Sequence, residues 1–335
     1  MVSRLELQRA RRKIAELEYE NTDLKKKLEA LRKENDLLSR KLTKLGSNPK
    51  SIYQVESSKK YLTLEQVKEM VEVSPKVFTM GALPHDTAAD REDETPIHQV
   101  DLTRRFSIGK YQVSQNFWSS ITNSNPSSFR GMQRPVEMVS WLDCILFCNL
   151  LSEKEGLEKV YTHPEGLQKK LHDQIFGQDK QIDMLSHLVS QNLEANGYRL
   201  PTEAEWEYCA RAEQGFLYSG SDFAEDVAWF GRDSAQSTDL GNSVEQTHPV
   251  GEKNPNGFGL YDMSGNVWEW VWDWKGPYSK QRQQDPTGPT RGTARVAKGG
   301  CWRGGTWGNR VSGRYEYVPS FRSSYLGLRL ARTLS

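Results

Sequence analysis

Cysteine and histidine are the side chains here best equipped for nucleophilic, redox or metal chemistry, and their spacing offers little of it. The four cysteines stand at 144, 148, 209 and 301. None forms a Cys-x-x-Cys pair, and they are too few for a disulfide scaffold. Cys144 and Cys148 lie one turn apart on an expected helix. The six histidines, at 85, 98, 163, 172, 187 and 248, show no ligand spacing such as i,i+4, so His98 and His248 are expected to be ordinary hydrogen-bonding residues. Spacing identifies no carboxylate dyad and no Ser-His-Asp set. What is concentrated instead is recognition chemistry near the C-terminus: Trp302, Arg303, Trp307, Gly313, Tyr315, Tyr317, Ser320, Phe321, Ser323 and Tyr325. Rigid aromatics bury area at low entropic cost while Gly and Ser adapt, the combination favoured in antibody paratopes and interface hot spots. These residues are the expected ligand-binding set, for a protein or other macromolecule.

The elements that must position them come from a chain of two unlike parts. Its 335 residues carry 45 basic and 44 acidic side chains, for a net charge of +1, which argues against nucleic acid as the partner. No stretch approaches the roughly 18 apolar residues of a membrane span, and no apolar signal region follows Met1. The sequence as written therefore reads as soluble and cytoplasmic, or surface-displayed if a leader has been removed. Ten Trp and 26 Gly nevertheless accompany a mean hydropathy of −0.73.

Residues 1–46 read as a coiled coil. Leu7, Ile14, Asn21, Leu28, Asn35 and Leu42 occupy one seam position, and Ala10, Leu17, Leu24, Leu31, Leu38 and Leu45 the other. Buried Asn pairs favour a parallel homodimer through residues 7–45, with a trimer as the alternative. The basic run Arg4, Arg9, Arg11, Arg12 and Lys13 overlaps the first heptad, whereas a DNA-gripping helix needs basic sequence extending well beyond the zipper. Gly46 and Pro49 stop the helix, and residues 47–74 read as a linker with a short helix over Leu62 to Val73. From 75 to 335 the texture is short apolar runs, Trp and Gly turns, interrupted by an amphipathic helical insertion at about 166–195. Leu167, Leu171 and Ile175, then Ile182, Leu185 and Val189, mark that insertion. Thr202 with Glu205 forms an expected capping box ahead of Trp206. Val267 to Trp272 alternates as a strand after the tight turn Met263-Ser264-Gly265-Asn266.

Several segments carry a more specific resemblance. They are Val77-Phe78-Thr79-Met80-Gly81, Ile108-Gly109-Lys110-Tyr111-Gln112-Val113-Ser114, Arg134-Pro135-Val136-Glu137, Tyr198-Arg199-Leu200-Pro201-Thr202-Glu203 and Asn256-Gly257-Phe258-Gly259-Leu260-Tyr261. Gly265-Asn266-Val267-Trp268-Glu269-Trp270, Lys298-Gly299-Gly300-Cys301-Trp302 and Gly327-Leu328-Arg329 complete the set. In this order they resemble the formylglycine-generating enzyme, or sulfatase-modifying factor, family. The resemblance implies an α+β, loop-rich fold of the C-type lectin type behind the N-terminal coiled coil.

It also implies a test of chemistry. The family's oxidases bind copper through two C-terminal cysteines, and the matching positions here hold Gly304 and Asn309. Another branch holds iron through a fused His-rich domain, which this chain lacks, so neither copper nor iron is expected and the chain is not expected to be an enzyme. Structural calcium is expected by the same resemblance, with Asp262 and Glu269 offering carboxylates and Gly265 and Val267 offering carbonyls, all hard oxygens. The display segment of about 298–332 is similar to that of the variable proteins of diversity-generating retroelements, in which Arg310, Ser312, Arg314, Arg322 and Arg329 would hold the frame. The expectation is a non-catalytic ligand-binding protein made multivalent by its coiled coil; the alternative is a conventional binding domain of the same family.

Overall fold

The computed structural model describes residues 62–86, 92–167, 179–232 and 241–334, within a compact unit spanning Leu62–Ser335. The expected coiled coil, most of the linker, and Leu171 and Ile175 of the insertion lie outside the described residues.

One antiparallel sheet runs β1 (Met70–Val73), β4 (Phe106–Gly109), β13 (Ala331–Thr333) and β7 (Tyr198–Arg199). It brings the last described strand into register with β4 on one side and β7 on the other. A second sheet runs β11 (Arg314–Tyr317), β10 (Arg295–Lys298), β8 (Trp268–Trp274) and β12 (Leu326–Leu328), antiparallel except for the parallel pairing of β12 with β8. In a third, β2 (Lys76–Met80) pairs antiparallel with β3 (His98–Leu102), which pairs parallel with β9 (Gln283–Gln284). A small ladder joins β5 (Tyr161–Thr162) to β6 (Ser190–Gln191). The fold is thus α+β and loop-rich, as its motifs imply.

The helix expected over Leu62 to Val73 is confined to α1 (Leu64–Val67), capped by Thr63, and Met70–Val73 is a strand. Val71 and Val73 are β-branched and fit a pleated surface better than a helix, and β4 offers them a paired edge. α2 (Gln115–Thr122) starts at Ser114 and ends at Asn123 in the left-handed region. α3 (Trp141–Lys154) is capped by a Ser140/Asp143 box, and both Cys144 and Cys148 lie inside it, buried as free thiols. In the insertion, α4 (Lys180–Leu185) buries Ile182, while Val189 is extended rather than helical. α5 (Glu203–Arg211) has the Thr202/Glu205 capping box read from the sequence, and α6 (Ala224–Val227) is a single turn. Among the described residues no helix is long and apolar enough to cross a membrane.

Two large apolar clusters fill most of the unit, beside a small one of Ala224, Ala228 and Phe230. One joins α3 to Trp268, Trp270, Leu326 and Leu328; the other joins α5 to Val271, Val296 and Ile108. Trp141, Trp206 and Trp270 are among the largest fully buried side chains, and truncating any of them is expected to cost about 3–5 kcal/mol. Their indole nitrogens are satisfied: Trp141 donates to Val271 O, Trp270 to Val139 O and Trp206 to Glu269 Oε2.

Candidate ligand-binding face

Strand alternation splits β11 into two functions. Arg314 turns inward, where Nε and Nη2 reach Glu203 at 2.6 and 2.9 Å and the guanidinium lies 3.9 Å over the Tyr278 ring. Tyr315 and Tyr317 turn the other way, onto the aromatic side of β8. Burial opposes the charge on Arg314, but Glu203 outweighs it and raises the guanidinium pKa further.

The outward side is a continuous run of rings. Tyr315 lies 5.7 Å from Trp268 and 5.0 Å from Tyr317, and Tyr317 stacks on Phe321 at 4.8 Å. Tyr325 closes the cluster 6.1 Å from Tyr317, with the Arg303 guanidinium 6.0 Å above it. Burial, then the neighbouring Tyr325, pushes the Tyr317 hydroxyl pKa up, so it stays a neutral hydrogen-bonding group. Of the sequence-predicted set, Arg303, Trp307 and Tyr315 are exposed, the latter two by 52% and 42%, large fractions for rings without a described partner surface. Tyr317, Phe321, Ser323 and Tyr325 are half-buried.

Three predicted contacts belong to the frame instead. Trp302 is buried edge-on against Phe129, 5.1 Å away, and its Nε1 donates to Ser324 O. Gly313 is buried in a turn in which its N–H donates to Arg310 O. Ser320 is held by the insertion: its N–H donates to Asp183 Oδ1 at 2.8 Å, and its Oγ accepts from the Asp179 N–H at 3.0 Å. Sequence spacing could not show a residue covered by a segment about 140 positions earlier.

The frame is a set of buried and half-buried ion pairs. Arg310 makes a bidentate pair with Glu94, 2.7 Å on each side, and also reaches Asp86; Arg322 does the same with Asp143 at 2.7 and 3.0 Å. Lys298 meets Glu207 at 3.1 Å, and Arg211 shares that carboxylate. Burial opposes ionisation of Glu207, but these two cations win and hold it at about 2. The acidic partners went unrecognised in the sequence, because nothing local links Glu94 to Arg310 across 216 positions.

Glu137, beneath the face, is a different acid. Its Oε1 accepts from the Phe129 N–H at 2.7 Å, Oε2 has no hydrogen bond, and burial lifts its pKa to about 7.

The family's paired thiol positions are visibly altered. Asn309 is buried and its Nδ2 donates to Gly305 O, while Gly304 lies in the turn before it. A Cβ on Gly304 would come 3.8 Å from Cys301 Sγ, and burial pushes the Cys301 thiol up to about 11, which disfavours the reactive thiolate.

The residues expected to hold calcium do converge, but on a side chain. Gln112 Nε2 donates toward Asp262 O (3.2 Å), Gly265 O (3.3 Å), Val267 O (2.9 Å) and Glu269 Oε1 (3.0 Å). Asp262 offers its carbonyl there; its carboxylate points away and accepts from the Gly251 N–H at 2.7 Å. The turn depends on Gly265, whose φ is +83° and where a Cβ would meet Trp229 O at 2.5 Å. Glu269 is already neutralised by Arg329, with Nε and Nη2 at 2.9 and 2.8 Å. A cation at the shared point would compete with this amide nitrogen, among three neutral carbonyls and a carboxylate already paired with Arg329.

The geometry so far defines a loop-rich α+β scaffold that presents an aromatic face on an ion-paired frame. The chain belongs to the sulfatase-modifying factor enzyme 1-like domain family, which matches residues 56–334. It is 31% identical over 297 residues to the formylglycine-generating enzyme of Mus musculus, covering 78% of this chain and 74% of the enzyme. It is 41% identical over 208 residues to the chaperone protein LppX of Paenibacillus barcinonensis, covering 59% of this chain and 69% of that one. Among solved structures, Treponema denticola variable protein 1 superposes with a TM-score of 0.67 at 32% identity, covering 79% of this chain and 95% of that one. Both resemblances read from the motifs, to the enzyme family and to a variable protein, therefore hold.

Proposed function

We propose that this chain is a non-catalytic binding module whose Arg303–Tyr325 face captures a protein or other macromolecular ligand. The observation that carries the reading is the division of the C-terminal segment. Exposed and half-buried rings stand on one side of β11, Arg314 on its other side is paired with the buried Glu203, and Arg310 and Arg322 beyond the strand are paired with Glu94 and Asp143. Such a segment can change its outward residues without disturbing its frame, as a variable binding surface requires. The similarity to a variable protein supports this reading. Gly304 and Asn309, in place of two thiols, leave the oxidase chemistry of enzyme relatives without its soft ligands. The coiled coil expected over residues 7–45 would join two or three such heads, raising avidity about 10²–10⁴-fold for a clustered ligand.

The test pairs a loss with an absence. The purified chain, loaded with copper and given a cysteine-containing sulfatase peptide, should form no formylglycine. On arrays of immobilised surface proteins and polysaccharides, any spot it binds should be lost in Trp307→Ala and Tyr315→Ala variants. Turnover of the peptide, or binding unaffected by both variants, would overturn the proposal. In the encoding DNA, a near-repeat of the final segment differing mainly at adenines would establish that the face is diversified.

A further inference from the structure

The convergence on Gln112 is unusual in its stoichiometry. A carboxamide nitrogen has two hydrogens, yet four acceptors lie within 3.3 Å of it. With no cation among them, those acceptors set which end of the amide faces them, since rotating it would press Oε1 against four oxygens. Gln112 is fully buried, its Oε1 makes no hydrogen bond, and all its side-chain hydrogen bonds come from the nitrogen. Three of the acceptors are carbonyls of the 262–267 turn and the fourth belongs to Glu269 on β8. The nitrogen therefore ties the turn to the strand that carries Trp268 and Trp270.

We propose that the Gln112 side-chain amide takes the place of a structural metal in this chain, so that the turn before β8 is held without calcium. Two features of the site support this. The partial positive charge of an –NH₂ group is enough for three neutral carbonyls and one oxygen of an already paired carboxylate. The charge of Glu269 is balanced by Arg329, whose Nη1 and Nη2 also bind Gly109 O and Tyr261 O, so a dication would leave a buried positive excess. The amide thus performs locally what hard-cation coordination performs elsewhere, by collecting oxygens from a tight turn around one donor.

The experiment compares the full chain with Gln112→Glu and Gln112→Leu, measuring bound calcium by atomic emission and thermal melting in EDTA and in calcium chloride. The parent should carry far less than one calcium per chain and melt at the same temperature in both solutions. Gln112→Glu places a second carboxylate among four oxygens, so it should melt lower in EDTA and recover in calcium. Gln112→Leu leaves buried acceptors unmatched and should melt at least about 5 °C lower with no calcium response. One calcium per parent chain with a lower melting temperature in EDTA would overturn the proposal, as would an unchanged melting temperature for Gln112→Leu.

Discussion

The two sides of the C-terminal segment obey opposite physical rules. On the framework side, Arg310, Arg314, Arg322 and Arg329 each meet a carboxylate in bidentate or near-bidentate geometry, and three of the four are buried outright. On the outward side, Trp307 and Tyr315 have ordinary apolar rings with no comparable anchor and substantial exposure. A buried charge tolerates no change in its partner, because the survivor is left unpaired in low dielectric. An exposed ring tolerates nearly any substitution, because water replaces what is lost. Interleaving the two along the C-terminal segment, as Arg314 and Tyr315 do on β11, lets fold and recognition vary independently.

The sharpest way to break this contrast is from the framework side. Arg314→Ala would leave Glu203 only the more distant Lys298, 4.0 Å away, and is expected to cost about 3 kcal/mol in urea unfolding. A cost near that of a surface substitution would show that the buried pairs do not hold the segment.

A second, pH-dependent effect probes the buried acid that holds the Phe129 backbone, against whose ring Trp302 packs. Glu137 holds its proton in the folded state up to about pH 7, but loses it near the ordinary carboxylate value when unfolded. Because the folded pKa is the higher one, its contribution to stability is fully present below pH 4.5 and is lost as pH rises to about 7. The decline should total roughly 3 kcal/mol across that window. Glu137→Gln, which cannot ionise, should lack that decline when unfolding is followed at pH 5 and pH 7.5. An equally steep decline in the variant would place the titrating group elsewhere. Glu207 gives the opposite slope, with stability lost as pH falls from the ordinary carboxylate range toward 2.

Much of the scaffold was legible because its signals are local. Thr202 and Glu205 announce the start of α5, Gly265 and Asn266 announce the turn, and alternating Trp residues announce β8. Met70–Val73 misled, since a short apolar pattern fits helix and strand alike and the β4 edge decided it. The candidate face was legible in composition but not in depth: Trp302, Gly313 and Ser320 look like their exposed neighbours until Phe129, the Arg310 turn and α4 cover them. Gln112 stood inside a recognised motif without drawing notice, because a neutral amide carries no chemical signal until four distant oxygens gather round it.

The outward residues should be free to vary while the frame is not. Replacing Arg303, Trp307, Tyr315 and Glu316 together by serine, and following thermal unfolding of the full chain, tests it most directly. Four exposed substitutions within about ±0.5 kcal/mol each should move the melting temperature by no more than a few degrees. A fall of about 10 °C or more would show that these side chains belong to the core and that the segment is not a separable binding face.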